Sequence, residues 1–144
     1  MSLQSALQDT LAAEHAAVWV YGVLGGQTSA SREPGLFADV ADGFVTHRAR
    51  RDLLQATLRG LGAEPVAAEP GYLVPDRLGI PSAVRATARR VEEGCAAAYA
   101  TLVAESVAEQ RRWALGALTD AALRRLRLQG IPENFPGAGE LADP

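Results

Sequence analysis

The chain has 144 residues, 48% of them hydrophobic and 22% charged, and a formal net charge of -3. That length suits one domain with a real core, and the acidic balance argues against a dedicated nucleic-acid binder. All 14 basic residues are arginine, Cys95 is the one cysteine, and His15 and His47 are the two histidines. These counts exclude lysine Schiff-base and P-loop chemistry, a disulfide framework and multi-cysteine metal clusters.

Alanine, leucine and arginine favour helix wherever glycine and proline are missing. Breakers gather at 25–35, 60–81 and 130–144, and a softer break falls at 104–106. The remainder predicts four helices, over about 3–26, 36–61, 82–104 and 106–129, with Ser82 as an N-cap for the third. In the first, Leu3, Leu7, Leu11, Glu14, Val18 and Tyr21 form one stripe. In the second, the heptad stripe reads Phe37, Val40, Phe44, His47, Arg51, Leu54, Leu58 and Leu61. Both stripes are apolar at the ends and polar in the middle, which is not how a plain coiled-coil seam is written. The third helix offers Ala88, Glu92, Cys95, Tyr99 and Leu102. The fourth offers Ala108, Arg111, Leu115, Leu118, Ala122 and Arg125, with apolar residues around much of its circumference.

No stretch reaches about 18 apolar residues, so no membrane span is expected. The expected setting is the reducing cytoplasm. A glutamate precedes a tyrosine by seven residues in both the first helix (Glu14, Tyr21) and the third (Glu92, Tyr99). Two helix pairs related by such a repeat, joined by a long linker at 60–81, have the connectivity of ferritin-like bundles. The expectation is therefore a single all-α domain over 1–144, a ferritin-like four-helix bundle with a long crossover between helices 2 and 3. The tail at 130–144 is expected along its outside.

A dinuclear site in such a bundle needs one glutamate from each of two helices and a Glu-x-x-His pair from each of the others. Glu14 and Glu92 match the single glutamates, and His47 matches one histidine. Phe44 stands three residues before His47, and helix four has no histidine, only Glu109 followed by Arg112. Three of six ligands remain. The sequence thus favours a buried ionic network of Glu14, His47, Arg51, Glu92 and Arg111, in which Arg51 and His47 hold Glu14 and Arg111 holds Glu92. No catalytic residue and no cofactor are assigned on this reading. The alternatives are an iron or manganese oxidoreductase using Glu14, His47 and Glu92, or a small-anion binder clamped by Arg51 or Arg111. Cys95 reads as a packed core thiol, and the alanine-rich faces suggest a homodimer.

Several segments together resemble a known family. They are Ala12-Ala13-Glu14-His15-Ala16-Ala17 leading to Tyr21-Gly22, His47-Arg48-Ala49-Arg50-Arg51-Asp52, and Gly71-Tyr72-Leu73-Val74-Pro75. Glu92 before Tyr99 and Phe135-Pro136-Gly137 complete the set. The chain resembles an actinobacterial ferritin-like family of unknown function, which implies a four-helix bundle and no transferable activity. Arg127-Leu128-Gln129 stands where the family has a bulky aromatic.

Overall fold

The computed structural model describes residues 1–130 and 134–137. Four helices account for most of them: α1 (Leu3–Gln27), α2 (Pro34–Gly60), α3 (Pro81–Glu105) and α4 (Ala108–Arg127). Ser2 caps α1 by accepting a hydrogen bond from the Ser5 amide. Ser82 does not cap α3. Pro81 opens that helix and Ile80 holds the cap position, because a proline ring fixes φ near the helical value and has no amide to leave unpaired.

The layers of the core show which way each helix runs. At one end Leu24 of α1 meets Val40 of α2, Val84 of α3 and Leu128 beyond α4. At the other end Leu7 and Leu11 meet Leu54, Leu58, Leu102 and Ala114. Along α1 the numbers rise while those of α2 and α3 fall, so the order is up, down, down, up. Residues 61–80 therefore return along the whole bundle, as the ferritin-like topology requires.

That crossover is tied to α1 at successive turns. Gln8 bonds both the Glu64 carbonyl at 2.7 Å and the Val66 amide at 2.8 Å. His15 donates Nε2–H to the Val66 carbonyl at 3.1 Å, and Trp19 packs on Tyr72. Leu78 is buried in the upper core.

Two stripes differ from the sequence expectation. On α2 the buried positions are Leu36, Val40, Gly43, His47, Leu54 and Leu58, while Phe37 and Leu61 are exposed. Gly43 takes the inward place because Tyr21 lies across it: a Cβ there would sit 2.4 Å from the Tyr21 ring. On α4 the buried positions are Ala114, Ala117, Ala121, Arg124 and Arg125; of the expected stripe Arg125 is buried and Leu118 partly so, while Arg111 and Leu115 are exposed. The middle of the bundle holds the large side chain of Tyr99, with α4's own Trp113 edge-on against it, so the next inward positions of α4 are the small Ala114, Ala117 and Ala121. Of the expected tail, Gly137 lies against the backbone of α3, where a Cβ would come within 2.4 Å of the Ala96 carbonyl oxygen. The rest of that tail, 131–133 and 138–144, lies outside the described residues. Among the described residues, no helix is long and apolar enough to cross a membrane.

Candidate functional site

Between the two apolar layers, the heptad positions of α1, α2 and α3 carry polar groups that must find partners. Glu14, His47 and Glu92 are all fully buried. His47 lies between the two carboxylates, with Nδ1 at 2.7 Å from Glu14 Oε2 and Nε2 at 3.2 Å from Glu92 Oε1. A carboxylate only accepts, so both ring nitrogens must donate and the imidazole must be charged. Burial disfavours that charge, but hydrogen bonding to Cys95, Glu14 and Glu92 outweighs it, and the pKa is pushed up to about 12.

The tyrosines complete the arrangement crosswise. Tyr99 of α3 donates to Glu14 Oε1 of α1, and Tyr21 of α1 donates to Glu92 Oε1 of α3. The seven-residue Glu–Tyr repeat thus becomes a pseudo-twofold exchange between antiparallel helices. Burial, then nearby negative groups, push both phenols well above their ordinary pKa, so they remain donors. Tyr21 also stacks on the His47 ring at 5.2 Å, and Trp113 meets Tyr99 edge-on at 6.1 Å. Glu92 Oε2 is buried and has no hydrogen-bond partner among the described residues.

Sequence reasoning misplaced the arginines. Arg51 does not reach Glu14; it folds back on Asp52 at the surface, 2.7 Å away. Arg111 does not reach Glu92; it is exposed and donates to the Val103 carbonyl. Both fall on the outer side because Gly43 and the alanines of α4, not Phe44 and Leu115, set the inward faces. Neither arginine is placed to clamp an anion in the core.

Arg50 stands nearer instead. It donates to the Tyr99 hydroxyl, its guanidinium lies 5.4 Å from the centre of that ring, and it pairs with Asp120 at 2.8 Å. Asp120 also receives Arg124, which reaches Asp42 and Thr46 of α2. Burial alone would raise the Asp120 pKa, but the two guanidiniums hold it below the usual value. This chain of charges joins α2 to α4. The seven-residue repeat could have pointed to the tyrosines, but two adjacent arginines at 50 and 51 gave no signal to separate them.

A dinuclear metal centre does not fit these residues. At the level of His47, α4 presents Ala117 and Ala121, and α2 presents Gly43 on the turn before. None of these side chains can ligate, so three of six ligand positions have no donor. A smaller cluster does exist. Glu14, His47 and Cys95 each place one ligand atom within 4.8 Å of the others. Cys95 also points at the Ala13 carbonyl at 3.9 Å, and burial pushes its thiol pKa up.

The fold is that of a ferritin-like four-helix bundle, and its polar centre is built from Glu14, His47 and Glu92. Residues 6–140 match the family described as Domain of unknown function (DUF4439), and the chain belongs to that family. It is similar to the crystal structure of a conserved hypothetical protein, Rv2844, from Mycobacterium tuberculosis. The identity is 31% and the TM-score 0.79, over 88% of this chain and 87% of that one. It is also similar in fold to a ferritin-like, diiron-carboxylate protein of Bacillus anthracis str. Ames. There the identity is 16% and the TM-score 0.77, over 88% of this chain and 92% of that one. No curated protein matches the chain.

Proposed function

We propose that this protein is a non-catalytic ferritin-like module, structural or interaction-bearing, in which an imidazolium replaces the metal of the bundle centre. The observation that carries this reading is His47, whose two ring nitrogens both face buried carboxylates at 2.7 and 3.2 Å. One positive charge bonded to two acids fixes the register of α1, α2 and α3, since any slip would leave a charge buried without a partner. The likeness to the mycobacterial protein supports an actinobacterial origin, and a single buried thiol suits a reducing cytoplasm. The test is metal analysis of protein purified without chelators and then dialysed against iron or manganese. Less than about 0.1 ion per chain is expected, and about one or more, lost in His47→Gln, would overturn the reading.

A second reading has its own observation. The clustering of Glu14, His47 and Cys95, with the unpartnered Glu92 Oε2 nearby, suits a single divalent ion held by one thiolate. Cobalt would then give a thiolate-to-metal absorption band that Cys95→Ser removes. On the first reading no such band forms.

A further inference from the structure

The inward turn of the alanines on α4 has a counterpart on its other side. Opposite the buried stripe runs a second heptad, Arg112, Gly116, Thr119, Leu123 and Leu126, in 4-3-4-3 steps. Leu123 is 54% exposed and Leu126 41%, and Leu115 beside them is 47% exposed. A bundle helix that buries alanine and shows leucine reverses the usual pattern. The reversal is general along the helix and is not confined to one residue.

We propose that this face is the seam of a homodimer, in which α4 packs antiparallel on α4 of a second copy about a twofold axis near Thr119. Charge selects the occupant. Glu109 lies in the first turn of α4 and Arg127 in the last, both exposed and both flanking the same edge of the stripe. Among the described residues neither enters an ion pair. An antiparallel copy centred on Thr119 brings Glu109 of each chain beside Arg127 of the other, twice by symmetry. A parallel copy would leave each Glu109 level with the other Glu109 but on opposite edges of the seam, and each Arg127 likewise, with no opposite charge in reach, so the charges choose the direction.

The shapes agree with that register. Leu123 falls opposite Leu115 and Gly116 of the partner, where the missing side chain leaves room for the isobutyl group. Leu126 falls over the aliphatic stem of Arg112. Leu53 of α2, 47% exposed, adjoins Glu109 and Gln110 across the crevice between α2 and α4 and extends the apolar strip beyond α4. The seam is independent of the His47 site, so each can fail without the other.

Sedimentation equilibrium and chemical crosslinking test this directly. The wild-type chain is expected to be dimeric at about 10–100 µM. Leu123→Glu enters the seam twice and is expected to weaken the dimer by at least about 100-fold while leaving the helical circular dichroism unchanged, because Leu123 touches little within its own chain. Thr119→Cys, on the axis, is expected to oxidise to a disulfide-linked dimer, with Cys95 buried and out of reach. Glu109→Arg should weaken the dimer, and adding Arg127→Glu should restore it. A monomer at every concentration overturns the proposal. So does a dimer that survives Leu123→Glu and fails to crosslink at Thr119→Cys, and so does a double charge reversal that gives no rescue.

Discussion

Replacing His47 by glutamine removes the cation from between Glu14 and Glu92 and keeps a neutral side chain of similar reach. Two carboxylates, both 0% exposed, then share a cavity with no compensating charge. Breaking a buried pair in this way typically costs about 3–5 kcal/mol. For a chain of this size that corresponds to a fall of about 8–16 °C in Tm. The cost should also depend on pH, with a definite sign. The folded pKa of about 12 lies above the unfolded value of 6.5, so the folded chain holds the extra proton between them. The stabilisation is therefore complete below pH 6.5 and is lost as pH rises toward 12. Above 6.5 the gap between wild type and His47→Gln should narrow as pH rises, by at most about 1.4 kcal/mol per pH unit. Urea unfolding of both proteins at pH 6.5, 7.5 and 8.5 reads this gap, in a range below the titration of the tyrosines. A gap under about 1 kcal/mol at pH 6.5, or one that does not change with pH, would refute the charged-imidazole account.

Two other perturbations check the packing. Gly43→Ala gains helix propensity but drives a Cβ into the Tyr21 ring at 2.4 Å, so a net loss of about 1–3 kcal/mol is expected in chemical denaturation. A stabilised protein would show that Tyr21 can move away without cost. The neighbouring arginines should separate cleanly in thermal melts. Arg51→Ala should change stability by less than about 0.5 kcal/mol, because its pair with Asp52 is a surface one. Arg50→Ala should cost about 1–3 kcal/mol through Tyr99 and Asp120.

Much of this protein is written locally. The breaks bound all four helices to within about two residues: proline and glycine act on the backbone where they stand, and of the junctions between helices only that of α3 and α4 at 104–107 has neither. The length of the segment at 60–81 already required a crossover. Glu14, His47 and Glu92 were legible because a charge on an otherwise apolar heptad has few places to go except the core. The Glu–Tyr repeat was visible too, but its meaning was not: each tyrosine bonds the glutamate of the other helix, which depends on α1 and α3 running antiparallel.

What the sequence alone determines, then, is the helices, their order and the acids and histidine at the centre. The heptad placed Val40, His47, Leu54 and Leu58 of α2 inward correctly, but which of Arg50 and Arg51 reaches the centre, and which face of α4 turns inward, was decided only by tertiary packing. One residue of rotation, about 100° on a helix, separates Arg50 from Arg51 and Ala114 from Leu115. Periodicity cannot resolve that step where alanine, leucine and arginine surround the helix. Bulk can. Tyr21 needs the hollow at Gly43, and Tyr99, with α4's own Trp113 against its edge, favours small side chains at Ala114, Ala117 and Ala121. That rotation takes Arg51 and Arg111 away from the buried acids, leaves them to His47 and the two tyrosines, and turns a row of leucines outward.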